Sequence, residues 1–163
     1  MPITPEGRLS LPVQYLINTL ADSARFRTAV TAFDADSAKE KIWWGGLDED
    51  ETNAPPRAIV RLGQGQNLVR KTTGGWEASG TLELLITLMN PAGYDYPDAY
   101  KLMLNGFGKI RDEMLALVIA DPGAGPYLDI TGMTLDYVGQ WEVDLDGTED
   151  YWDAVYTVSW RGI

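Results

Sequence analysis

The chain contains no cysteine and no histidine. The first absence excludes a disulfide framework, a thiol nucleophile and a thiolate metal site. The second removes the commonest general acid–base and the commonest transition-metal ligand. A Ser-His-Asp triad, a papain-like pair and a histidine-held zinc are thus ruled out by composition. Catalysis, if any, falls to carboxylates, Lys, Arg, Tyr, Ser or Thr. Cations are scarce too: 13 Lys and Arg stand against 24 Asp and Glu, a formal charge of −11. That balance argues against electrostatic binding of nucleic acid. It is compatible with a surface that DNA passes without adhering. No stretch reaches transmembrane length. The opening Met1–Glu6 has neither the basic nor the apolar region of a signal peptide, so the expected location is a cytoplasm.

What remains is an ordinary globular composition, 45% hydrophobic and 23% charged over 163 residues. That suffices for one domain with its own core. The strongest periodic signal is Pro97–Ala120. Tyr100, Met103, Leu104, Phe107, Ile110, Met114, Leu117 and Val118 recur at three- and four-residue steps. Lys101, Asn105, Lys109, Asp112, Glu113 and Ala116 fall opposite, so a long amphipathic core helix is expected, roughly 35 Å at 1.5 Å per residue. Asp95 or Tyr96 is its N-cap. Pro97 suits the first turn, Asp98 complements the helix dipole, and Asp121-Pro122-Gly123 stops it. Gly106 and Gly108 suggest a close approach of another backbone.

Ahead of that helix, residues 1–9 read as a flexible tail and 10–163 as one domain. Ser10 caps a first helix with Pro12 in its first turn. Asp22 or Ser23 restarts a second turn over Ala24–Ala29, burying Phe26 between the solvated Arg25 and Arg27. Asp36–Lys41 reads as one further turn. Ile42-Trp43-Trp44 is a short apolar run. Adjacent tryptophans on a strand point to opposite faces, so one of them is a candidate for an interface. Residues 47–56 are an acidic exposed loop. Arg57–Leu62 and Leu68–Thr72 read as two strands of one hairpin. Trp76–Asn90 is the strongest strand, with Leu82, Leu84, Ile86 and Leu88 alternating toward the long helix and Gly80 at a bulge or bend.

Beyond the helix, Tyr127–Thr131 and Thr134–Tyr137 read as strand broken at Gly132. Gly139 marks a turn or bulge, and Gln140–Leu145 continues extended. Asp146-Gly147 is a turn, and Tyr151–Arg161 is a last strand with an aromatic face. The expected fold class is α+β: a mainly antiparallel sheet with one long amphipathic helix and a short N-terminal helix packed on one face.

Three motifs approach known chemistry. Asp144-Leu145-Asp146-Gly147-Thr148 resembles the nucleophile motif of haloacid-dehalogenase-like phosphatases. There the first Asp attacks phosphorus, the second protonates the leaving group, and the pair helps hold magnesium. In that family the motif follows the first strand of a parallel sheet. Here only Glu149–Ile163 follow it, too few residues for the remaining motifs. Asp144, Asp146, Glu149 and Asp150 also lack EF-hand spacing. Gly65 to Lys71-Thr72 has the outer spacing of a phosphate loop, but Arg70 stands where its second glycine belongs. The expectation is no enzyme, no metal and no cofactor.

The order of elements is similar to that of the tail terminator (minor tail) proteins of long-tailed bacteriophages. The residues carrying the resemblance are Ser23–Arg27, Gly80–Leu88, the helix Pro97–Val118 and the ending Tyr156-Thr157-Val158-Ser159-Trp160-Arg161-Gly162. The resemblance implies a structural virion protein that closes into a homohexameric ring. The ring caps the tail tube, meets the head-side connector protein, and lets genomic DNA through its lumen without specific binding. It has no membrane partner. A head-completion or neck protein is the neighbouring reading; a magnesium-dependent phosphatase and a monomeric binding module are readings of other classes. Ring subunits need two different patches for head-to-tail contact. Aromatic content and position nominate Trp43, Trp44, Arg57, Arg61, Arg70 and Trp76 as interface residues.

Overall fold

The computed structural model describes residues 10–45, 55–120, 128–140 and 151–162. The expected tail over 1–9, residues 47–54 of the acidic loop, the helix stop over 121–123, and the extended run over 141–145 and turn over 146–147, with Asp144 and Asp146, lie outside them.

Helix α1 (Ser10–Asp22) buries Val13, Leu16, Ile17 and Leu20. It ends at Ser23, whose hydroxyl accepts the Phe26 N–H at 3.2 Å and caps α2 (Ala24–Ala29). Phe26 is fully buried, as expected of a core anchor. Its flanking arginines differ. Arg25 is exposed, whereas Arg27 Nη1 donates to Ala21 O at 3.3 Å and Asp22 O at 3.0 Å, closing the C-terminus of α1. In α3 (Ala35–Lys39), Asp34 and Ser37 form a reciprocal capping box.

The sheet has six strands: β1 (Ile42–Trp44), β2 (Arg57–Leu62), β3 (Asn67–Arg70), β4 (Trp76–Met89), β5 (Leu128–Gln140) and β6 (Tyr151–Gly162). Its order is β1-β2-β4-β6-β5, with β3 on β4 beside β2. All pairings are antiparallel except β1 with β2, so the α+β expectation holds. The expected hairpin of residues 57–62 with 68–72 does not. Both strands pair with β4, β2 along 82–87 and β3 along 76–79. The physical reason lies in Gly63–Gln66, which steps the chain sideways without reversing it. Gly63 N–H donates to Thr81 O at 2.9 Å, and Gln66 Nε2 donates to Gly63 O at 3.0 Å and Thr81 O at 2.5 Å. The reversal comes later, where Lys71 N–H donates to Gly75 O at 3.0 Å.

Gly80 is not at a bulge: it pairs in register with Trp160. A Cβ there would meet the Gln66 side chain and lie 3.0 Å from Gln66 Cα, so glycine makes room for the side chain that holds this step. Gly132 does not break its strand either. β5 stays paired to β6 and absorbs register shifts at Ile130/Gly132 and Leu135/Tyr137 as bulges.

Helix α4 (Tyr96–Ala120) starts with Ala99 N–H donating to Asp95 O at 2.8 Å, which selects Asp95 of the two cap candidates. Met103, Phe107, Ile110, Met114 and Val118 are buried in one cluster with Leu82, Leu84, Ile86, Trp152, Tyr156 and Val158. The Tyr156 hydroxyl donates to Phe107 O at 2.8 Å, tying helix to sheet. At its start, Tyr96 stacks on Trp152 at 5.6 Å, and Trp152 Nε1 donates to Asn90 Oδ1 at 2.7 Å. Two expectations about α4 fail. Leu104 is 40% exposed, because it sits on the flank of the helix and not on the arc that meets the sheet. Gly106 and Gly108 face open space, and no backbone approaches them; the contact is made by Phe107 between them.

Candidate assembly surfaces

Side chains alternate across a strand. Ala58, Leu84, Ile86, Ala154 and Tyr156 belong to the core under the helices. Their neighbours Ile59, Leu85 and Val155 therefore occupy the opposite face. Register aligns Trp43 with Ile59, Ile59 with Leu85, Leu85 with Val155, and Val155 with Tyr137. One apolar row thus crosses the sheet from β1 to β5 on the face away from the helices.

Polar rows flank it. On one side Arg57, Thr87 and Asp153 are in register, and the Thr87 hydroxyl donates to Asp153 Oδ1 at 2.6 Å. Burial pulls the Arg57 guanidinium below its usual range, while Asp153 and Tyr151 pull it back up. On the other side Arg61 Nε donates to Glu83 Oε1 at 2.8 Å, and the Thr157 hydroxyl donates to Asp136. Arg61 thus serves a cross-strand pair with Glu83, while Arg57 is partly buried and stands in the field of Asp153 and Tyr151 on β6, two strands away.

The nominated residues therefore divide into three places. Trp43, Arg57 and Arg61 share the open face. Trp44 lies on the other face at the β1 edge and is half-exposed. Arg70 and Trp76 stand directly opposite each other in an arm made of β3 and the first turn-proximal residues of β4. All four β3 side chains are exposed. Leu68 is 52% exposed and Trp76 46%. Lys71 pairs with Glu77 at 3.1 Å. An open depression of about 440 Å³ runs along the arm between Val69, Arg70, Lys71, Glu77 and Ser79.

Residues missed by sequence reasoning lie at the other end. α4 packs beside β5. Glu113 marks the flank of α4 toward α2, where its carboxylate accepts Ala24 N–H at 2.5 Å. Leu104, Gly108, Leu115 and Ile119 follow each other on the opposite flank, and Ile119 is 84% exposed. Tyr137 is exposed on β5 itself. Leu68 and Val69 did carry a signal: two adjacent apolar residues on a short strand cannot both face one core. Ile119 carried none, since it continues an apolar run at the helix end.

The sequence matches no protein-family model, and a search of curated proteins finds no match. Among the described residues no group of three or more carboxylates is placed to hold a metal ion. No helix among them is long and apolar enough to cross a membrane. The described surface carries exposed apolar side chains at both ends of the sheet, and the apolar row on the face away from the helices runs from the half-buried Trp43 through the buried Ile59 to the exposed Tyr137.

Proposed function

We propose that this chain is a structural virion protein, a tail terminator that closes into a homohexameric ring. The ring caps the phage tail tube, receives the head-side connector, and lets genomic DNA pass its lumen without specific binding. The resemblance of its element order to that family suggests the reading. The observation that carries it is the placement of exposed large apolar side chains. One group, Trp44, Leu62, Leu68, Val69 and Trp76, lies at the β1–β3 end of the sheet; another, Leu104, Ile119 and Tyr137, lies at the β5–α4 end; Leu11, Phe33, Met89, Tyr94, Tyr96 and Leu102 are exposed outside both groups. A two-fold dimer needs one self-complementary patch, whereas a ring needs two different patches that meet head to tail. Large exposed apolar patches mark such contacts.

The test is the solution mass across a concentration series, by light scattering after size exclusion, with and without purified tail tubes. The expected result is a discrete species at six times the 18.0 kDa chain that co-sediments with the tubes. A monomer at every concentration that ignores the tubes overturns the reading. A ring that binds the head-side connector but not the tube moves the protein to the neck.

A further inference from the structure

We propose that, within such a ring, the β3–β4 arm of one copy seats against the β5–α4 end of the next. The inference rests on the ring reading above and assigns its contact. Three observations favour a second copy of this chain as the occupant.

The first is charge. Two chains of net charge −11 repel, so a contact between copies needs local opposition of sign. The arm is basic: Arg70 and Lys71 stand against Glu77, and Glu77 is already paired to Lys71 at 3.1 Å. Arg70 makes no ion pair among the described residues. β5 carries Asp129 and Asp136 and no cation, and the cations on the adjoining flank of α4, Lys101 and Arg111, are each set beside an aspartate, Asp98 at 4.0 Å and Asp112 at 3.2 Å. Asp129 lies 4.0 Å from Arg161, and Asp136 accepts from a hydroxyl, so both retain capacity for an incoming guanidinium.

The second is position. The arm and β5 lie on opposite sides of β4, with β6 between β4 and β5. An arm cannot reach the β5 end of its own chain, but a neighbour in a ring brings the two together, and closure leaves neither patch exposed. The third is the form of the β5 edge. Its two bulges interrupt the regular ladder that would otherwise invite strand pairing. The contact is therefore made by side chains, with Leu68 and Trp76 against Leu104, Ile119 and Tyr137, and Arg70 toward the β5 carboxylates. A standard interface takes about 800 Å² from each partner. The arm alone is too small for that, so Leu62 and Trp44 on the same edge complete the donor surface.

The absence of cysteine makes the test unambiguous. Double variants join one arm position, Leu68→Cys or Trp76→Cys, with one receiving position, Leu104→Cys, Ile119→Cys or Tyr137→Cys. Mild oxidation should turn at least one pair into a ladder of covalent multimers that stops at the ring, while each single variant gives none. Beside it, Arg70→Glu should weaken self-association at least tenfold with an unchanged circular dichroism spectrum and melting temperature. Dimers from an arm single variant mean that arm meets arm, and overturn the proposal. A ring of the right mass with no ladder from any pair overturns this contact and leaves the ring standing. No ladder and no ring overturn both.

Discussion

Replacing Tyr156 by Phe should change the stability of this protein by an amount whose sign depends on pH. The phenol is fully buried on β6 and its hydroxyl donates to Phe107 O at 2.8 Å. That carbonyl lies inside α4, where the helix ladder supplies another donor, so the variant orphans no group. The loss at neutral pH is then one ordinary buried hydrogen bond, about 1 kcal/mol. Burial also raises the Tyr156 phenol far above its ordinary value of 10.0, against a smaller opposing pull from Arg111. In the folded chain it stays protonated, whereas in the unfolded chain it ionises through 10. The folded state then binds more protons above that pH, so this contribution is complete below pH 10 and is lost as pH climbs beyond it. One unit above the unfolded value the loss is about 1.4 kcal/mol. Wild type should therefore lead the Tyr156→Phe variant by about 1 kcal/mol at pH 8 and fall level with it or below near pH 11. Urea titrations followed by tryptophan fluorescence at half-unit steps read this directly, and the other tyrosines cancel in the difference. A gap that stays constant from pH 8 to 11 would refute the burial of an un-ionised phenol under α4.

Three further outcomes test the packing. Phe107→Ala empties the fully buried site where α4 meets β6 and should cost about 3–5 kcal/mol, enough to leave little folded protein in a thermal melt. Gly80→Ala must displace Gln66, which donates to Gly63 O and Thr81 O and accepts from Trp160 Nε1 at 3.2 Å; a loss of about 1–3 kcal/mol with altered tryptophan emission is expected. Glu113→Ala removes the acceptor for Ala24 N–H and Arg25 N–H and the 3.5 Å ion pair to Arg25, so stability should fall by about 1 kcal/mol and the first α2 amides should exchange faster.

Local pattern determined much of this protein by itself. The three- and four-residue recurrence through Met103, Phe107, Ile110, Met114 and Val118 located the long helix, and alternation through Leu82–Leu88 and Trp152–Trp160 located the two central strands. Those signals are legible because burial on one face imposes a period on the residues themselves. Ala24–Ala29 was legible through its Ser cap, and the α+β class followed from the sum.

Partnership was not legible, because it is a property of residues distant in the chain. Nothing local distinguishes a hairpin of 57–62 with 68–72 from two strands laid end to end along β4; the length of β4 and the sideways step held by Gln66 decide it. Glycine is likewise ambiguous. Gly80 reads as a bulge and is a seat for Gln66, and Gly106 reads as a contact and meets open space. The nominated interface residues shared a composition but not a place. Only the sheet order put Trp43, Arg57 and Arg61 on the open face, set Arg70 across from Trp76 on an arm, and left Ile119 and Tyr137 at the far end. Period and caps are set within a few residues, whereas a docking surface exists only once strands far apart in sequence have been laid side by side.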